Sequence, residues 1–485
     1  MEDKSPNYTI EKGVLVHINS DLEEVIIYPP VEAVASDINV SKNLKRLSLP
    51  DTMVYIGVEA FKGSNLEELS FHSDTFHPDT SISFPAKVKR SAPLKIDEEA
   101  FTECKNLKIV SLPDNVSIEQ DAFNGCCSLK EVTFGKHTLV KEDAFACCSD
   151  LKKANLENLV FVGSFAFIGC GLKEANLTGL DPKNHILNEN IFIKNENLEK
   201  VILPPTVNVI AKNAFTSCYS LKEINLENVN MIGEDALMGT GLETLHFEGT
   251  IHGNASLSYC TNLRNLNLKI PVFKTNLIVN DNNIENLYID TDEIVFNGHG
   301  TELDIGNMIM GPNLKILTHK PFTSCNIDTL NFIKTKHVLL LSEEFDRSSI
   351  KTLILAKDMD VFPEELFKNA YIENLIITSP DLSVHPNFAS TWTDIKKIVF
   401  TSDNFTIKET DLFNLIKTGV RSIYFNDEFL SSPKTKTMFL NVENRLLNLS
   451  GFPCNISKMA KPLSEYFNAK GFRLRNKIDI SINER

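Results

Sequence analysis

Four thiols, Cys126, Cys127, Cys147 and Cys148, stand as two adjacent pairs in successive segments of the chain. Four is the number of soft ligands that a tetrahedral zinc ion takes. Neighbouring residues of an extended or helical segment point in different directions, however, and neither pair has the C-x-x-C spacing that brings two thiolates to one ion. The recurrence of cysteine weighs further against a metal. Cys104, Cys126, Cys127, Cys147, Cys148, Cys170, Cys218, Cys260 and Cys325 each fall two to four residues before a hydrophobic hexamer or the place of one. A residue that returns with a period is a packing residue, and free cysteine behaves as a small buried hydrophobe. Neither a metal nor a disulfide framework is expected.

A second cluster runs from Asp281 to Asp292, where Asp281, Asn283, Glu285 and Asp292 occupy positions one, three, five and twelve of a calcium loop. The glycine required at position six is Asn286, and Ile284, Leu287 and Ile289 fall on the hexamer pattern of a strand. Eleven histidines are scattered, none in H-E-x-x-H, and no G-x-S-x-G, P-loop or dinucleotide-binding fingerprint occurs. No catalytic residue and no cofactor follow from these patterns. An enzymatic reading, a hydrolase or lyase, would need a cleft with clustered perturbed acids near Met308 to Lys320.

Every one of these residues sits in a repeat. Ser220 to Thr240 reads SLKEINLENVNMIGEDALMGT; Asn106 to Cys127 reads NLKIVSLPDNVSIEQDAFNGCC, and Ser128 to Ser149 follows with SLKEVTFGKHTLVKEDAFACCS. Hexamers begin at Leu22, Leu44, Leu66, Leu107, Leu129, Leu151, Leu172, Leu198, Leu221, Leu242, Leu263, Ile284, Ile327, Ile350, Ile372, Ile395 and Val420, mostly 21 to 23 residues apart. Steps of 41 residues after Leu66 and 43 after Ile284 each fit a concealed unit, the second starting at Ile305. A unit this short cannot bury its own apolar side chains, so the units stack into one core. About nineteen coils are expected. Apolar positions one, four and six of the hexamer predict a short strand, paired in parallel along the stack. An Ala-Phe pair, as at Ala122-Phe123 and Ala144-Phe145, predicts an aromatic spine on the opposite wall, with a second brief extended segment and a helical turn between.

The expected organisation is an N-terminal cap over residues 1–21, a solenoid over 22–442 that is irregular at 73–93 and 290–326, and a C-terminal cap or basic tail over 443–485. The N-terminal hairpin is sought in Tyr8 to Pro30. Ser73 to Pro93, with Pro78, Pro85 and Pro93, predicts a surface loop, since proline cannot donate to a ladder. Met308 to Pro312 has no counterpart in other units, and Leu314 falls out of phase.

The net charge of -15 excludes wrapping a nucleic-acid backbone, although Phe452 to Arg485 carries seven basic residues against three acids. No apolar run approaches the roughly 18 residues of a membrane span. The acidic, polar start MEDKSPNYTI shows no export signal, which predicts a cytoplasmic protein; the alternative is a surface or secreted one.

NLKRLSLPDTMVYIGVEAF from Asn43, NLKIVSLP from Asn106 and NLEKVILPPTVNVIAKNAFTSC from Asn197 resemble the unit of the BspA-like leucine-rich repeat proteins. That resemblance implies a leucine-rich repeat solenoid of the α/β or mainly β class with a parallel sheet on one face. It also implies the roles that members of the family take, as adhesins or host-binding surface proteins. The residues themselves add one site. Hexamer positions three and five point outward, and position five, polar in the early coils, becomes Ile354, Ile376, Val399 and Tyr424 in four successive coils, with Tyr288 before them. A contiguous exposed apolar stripe predicts a contact for a protein partner of unidentified kind; the alternatives are that the C-terminal segment folds back over it, or that these are strand-favouring residues tolerated singly. Arg46, Glu68, Glu131, Lys153, Glu174, Lys200 and Glu223 at position three would add specificity.

Overall fold

The computed structural model describes residues 3–5, 7–19, 21–73, 90, 92–253, 256–278, 283–295, 303–318, 322–332, 334–335, 339–340, 345–355, 367, 369–379, 394–402, 405–417, 419–450, 456–463 and 465–466. The expected loop at 73–93 and the basic end beyond residue 466 lie almost wholly outside the described residues.

In each coil the hexamer forms a strand with Leu at positions one, four and six turned inward. Leu44, Leu47 and Leu49 are buried while Arg46 between them is exposed. These strands pair in parallel with their counterparts one coil away, which satisfies their backbone groups without any long-range closure.

The chain divides into two compact units, residues 1–243 with 249–263, and residues 244–248 with 264–485. In the first, one wall runs through the strands Glu24–Ile26, Arg46–Pro50, Glu68–His72, Ile109–Ser111, Glu131–Thr133 and Lys153–Ala154. Three more, Glu174–Asn176, Lys200–Ile202 and Glu223–Ile224, form a separate sheet. The opposite wall includes Tyr55–Ile56, Leu94–Ile96, Val116–Ile118 and Thr138–Val140. An antiparallel hairpin, Tyr8–Glu11 with Val14–Ile18, caps that wall by pairing Val14–Ile18 in parallel with Ala33–Val40.

Between the walls the Ala-Phe pair makes a turn, not the helical turn expected. Residues in left-handed conformation flank it, Asp121 at φ 57° and Gly125 at φ 72° around Ala122-Phe123, and this pattern bends the chain back sharply in coil after coil. The rings stack: Phe61, Phe101, Phe123 and Phe145 lie 4.9 to 5.0 Å apart and nearly parallel, and Phe167, Phe192 and Phe215 continue the column at 5.5 to 5.9 Å. In the second unit the column resumes as Phe322, Phe345 and Phe367.

The second unit holds a ten-stranded parallel sheet, from Thr244–Glu248 through Asn265–Lys269, Asn283–Asp290, Asp304–Met310, Asn326–Asn331, Ser349–Leu355, Tyr371–Ile377, Ile395–Phe400 and Ser422–Phe425 to Ala460–Pro462. The concealed unit at Ile305 is there, with Asp304–Met310 set between its neighbours.

Several expectations need correction. The 41-residue step after Leu66 conceals no coil, because Glu68 pairs directly with Ile109 and Tyr55 with Lys95; the extra length is an insertion into one coil. The coils therefore number fewer than nineteen. Met308 and Met310 are not irregular but fill core positions four and six, both fully buried, Met308 between Leu287 and Leu330 and Met310 opposite Ile289. Leu314 looked out of phase because Ile316–Thr318 belongs to the opposite wall; Ile309 takes position five. After Ser422–Phe425 come the helices Asp427–Ser431 and Pro433–Ser450. Asn426 caps the first by accepting from the Phe429 amide at 2.7 Å. Phe439, Val442 and Leu446 give the second a buried face of helical period.

Candidate functional site

A residue on the outer face of the sheet is available for recognition only if the fold does not already use it. Several are used. Asn155 accepts from the Phe134 amide at 2.7 Å and donates to the Phe134 carbonyl at 2.8 Å. Asn225 clips Leu203 in the same way, at 2.7 and 2.9 Å. These position-five amides satisfy backbone groups of the previous coil, so they are structural. The charged residues of position three pair from coil to coil: Arg46 with Glu24 at 3.1 Å, Lys153 with Glu131 at 3.9 Å and Lys200 with Glu223 at 2.8 Å. All are solvent-exposed pairs of small energetic weight.

The apolar stripe is where the structure departs furthest from expectation. Val399 is 0% exposed, Tyr424 7% and Ile354 6%, although all three stand on the outer side of the sheet. Ile376 is half-buried. What covers Val399 and Tyr424 is the C-terminal segment. Ala460–Pro462 adds a strand beside Ser422–Phe425, and the chain then turns back across the face. Leu463 and Tyr466 close over Val399, Tyr424 and Ile376, with the Tyr466 ring 5.2 Å from that of Tyr424. Burial foremost, then Tyr424 and Glu373, push the Tyr466 phenol above its ordinary value. The expectation of a solvent-facing stripe is thus overturned: apolar position-five residues were matched to a segment of their own chain.

Tyr288 lies apart from that cover, half-buried, with the Lys334 ammonium 5.3 Å from its ring centroid. Beside it runs an amide ladder. Asn286 donates to Asn265 at 2.7 Å, and Asn307 donates to Asn286 at 3.0 Å; Asn286 and Asn307 are exposed and Asn265 half-buried.

Next to the ladder, at the strand starts, a groove of about 510 Å³ is lined by Glu285, Asp304, Asp328 and Glu373 among others, with Lys351 the one basic group. Gly306 shapes its floor, since a Cβ there would stand 2.5 Å from the Glu285 carbonyl oxygen. The groove takes no lining from Met308 to Lys320, where an enzymatic cleft was sought.

The thiols have a backbone role that composition alone does not show. Cys126 donates to the Phe101 carbonyl at 3.2 Å, Cys148 to Phe123 at 3.3 Å, Cys170 to Phe145 at 3.2 Å and Cys218 to Phe192 at 3.1 Å. In two coils that lack the cysteine another donor stands in: Asn195 reaches the Phe167 carbonyl at 2.7 Å, and Ser348 that of Phe322. Every such residue lies three after the spine ring. Burial pushes the Cys148, Cys170 and Cys218 thiols up, the last to about 12. Cys127 and Cys147, the other halves of the adjacent pairs, are exposed. Among the described residues no group of three or more His, Cys, Asp or Glu could hold a metal ion. Nor is any described helix long and apolar enough to cross a membrane.

The family model described as "BspA type Leucine rich repeat region (6 copies)" matches residues 34–80, 74–183, 185–299 and 300–418. The chain belongs to this family of leucine-rich repeat proteins. It is similar in fold to a leucine-rich repeat protein from Bacteroides ovatus, with 16% identity over 83% of this chain and 97% of that one, and a TM-score of 0.43. A leucine-rich repeat protein of T. pallidum shares 18% identity over 49% and 89% of the two chains, with a TM-score of 0.28. A leucine-rich cell surface protein from Faecalibacterium prausnitzii shares 15% over 83% and 95%, with a TM-score of 0.27. No curated protein matches the sequence.

Proposed function

We propose that this leucine-rich repeat protein is a non-enzymatic scaffold that binds a protein partner with the uncovered part of its sheet face. One contrast carries the reading. The inward positions hardly vary from coil to coil, as in the buried series Leu245, Leu266, Leu287, Met308 and Leu330, whereas the outward ones do, as in His246, Asn267, Tyr288 and Ile309. A stack needs the first kind of regularity; the variety of the second serves recognition. Because Val399 and Tyr424 lie beneath Leu463 and Tyr466, contact shifts from the expected stripe to the coils around Tyr288 and the Asn265–Asn286–Asn307 ladder.

The test is affinity capture from native lysate with the full chain and with Tyr288→Ala/Asn286→Lys, alongside the thermal midpoint of both. A partner lost from the variant at an unchanged midpoint supports the reading; a partner retained equally by both refutes it for this face. Buried thiols committed to backbone carbonyls suit a reducing compartment, so the reading places the protein in the cytoplasm. Fractionation of the source cells reads this directly, and recovery from the cell surface or medium favours an adhesin instead.

A further inference from the structure

The groove at the strand starts lies on the path of the C-terminal segment. After Ala460–Pro462 the chain turns away from the sheet edge and crosses Tyr424, Val399 and Ile376, ending its described course at Tyr466. Glu373, in the same strand as Ile376, borders the groove and acts electrostatically on Tyr466. Cover and groove are continuous.

Their charges are complementary. The lining bears Glu285, Asp304, Asp328 and Glu373 against Lys351, which stands 3.6 Å from Asp328; Lys397 lies 3.9 Å from Glu373, and Asn326 donates to Asp304 at 2.8 Å. Beyond Tyr466 the sequence carries Lys470, Arg473, Arg475, Lys477 and Arg485 against Asp479 and Glu484. Arg473, Arg475 and Lys477 alternate, so an extended segment sets them on one side.

The lengths agree as well. From Glu373 to Glu285 the groove crosses four strand spacings, about 19 Å. Lys470 to Lys477 spans up to about 23 Å when extended, and the four residues from Tyr466 to Lys470 reach about 13 Å.

We propose that this groove is the seat of the chain's own basic C-terminal segment, residues 467–485, lying across the starts of the strands with its cations against Glu285, Asp304, Asp328 and Glu373. The proposal goes beyond the reading of the face as a partner site, and its test requires no partner.

The test is zero-length carbodiimide cross-linking of the full chain, mapped by mass spectrometry on an equal mixture of unlabelled and nitrogen-15-labelled protein. Links from Lys470 or Lys477 to the four acids, within one isotopic chain, are expected. Arg473→Glu/Arg475→Glu, which keeps both reporter lysines, should cut their yield several-fold, as should salt near 1 M. Lys351 linked to Asp328 is the internal control. The control link formed without any Lys470 or Lys477 link overturns the proposal. Links found only between labelled and unlabelled chains overturn it too, since the occupant is then a second copy.

Discussion

Val399→Thr separates a covered sheet face from an exposed one almost without changing shape. Valine and threonine are nearly isosteric and both favour strands, so at a solvent-facing position the exchange should stay within about 0.5 kcal/mol. Val399 is 0% exposed, closed in by Tyr424, Tyr466, Leu463 and Ile376, of which Leu463 and Ile376 offer only carbon to a new hydroxyl. A buried hydroxyl without a partner costs about 1 to 3 kcal/mol. The expected loss in urea unfolding, followed by circular dichroism, is therefore about 2 kcal/mol. In the background Tyr466→Ala, which opens the cover to water, the same exchange should cost less than half as much. The difference is the coupling through the cover and is read from the four midpoints of the cycle. An effect of Val399→Thr below about 0.5 kcal/mol, or one unchanged by Tyr466→Ala, would refute the assignment of the C-terminal segment as the lid of this stripe.

Asn225→Ala removes both clips on Leu203 and is expected to cost about 1 to 3 kcal/mol, whereas Glu223→Ala, two residues away, removes only the exposed pair with Lys200 and should cost less than about 0.5 kcal/mol. Equal midpoints for the two variants would show that the amide carries no structural load. The pH dependence follows from Cys218, whose thiol burial pushes up to about 12, while an unfolded thiol ionises near 8.5. Above about pH 8.5 the unfolded chain releases a proton that the native one keeps. The contribution of this group, full below that pH, is then lost at about 1.4 kcal/mol per unit as pH rises toward 12. Cys218→Ala should flatten the stability curve between pH 9 and 10.5 by that slope, and parallel curves for the two proteins would contradict it.

The stack was legible because its cause is local: Leu44, Leu47 and Leu49 alternate within one hexamer, and the same alternation returns every 21 to 23 residues. The ring column was legible for the same reason, except at Phe192, Phe322, Phe345 and Phe367, where Ile191, Pro321, Glu344 and Leu366 stand in place of the alanine that marks the other pairs. What could not be read from periodicity was which outward residue the fold had already used. Val399 and Tyr424 look like a binding stripe until Tyr466, more than forty residues later in sequence, is laid over them. Asn225 looks like a surface amide until its two bonds to Leu203 are seen. The cysteine position could have been found sooner, since Asn195 and Ser348 share with Cys126 the offset of three from a ring and have in common a donor, not an apolar surface. The insertion after Leu66 misled for a different reason: length between hexamers does not distinguish an extra coil from a long excursion within one coil.

The frame-sharing of the strands bears on how such a chain changes length. Ile109, Glu131 and Lys153 stand in one row, each opposite the next. Excising Glu131 to Lys152 would set Lys153 against Ile109 in the place Glu131 leaves, Phe167 beneath Phe123, and the Cys170 thiol within reach of the Phe123 carbonyl. A recombination error that drops one copy thus leaves the strand row, the ring column and the thiol seam matched, while a loss of ten residues would misalign both walls at once.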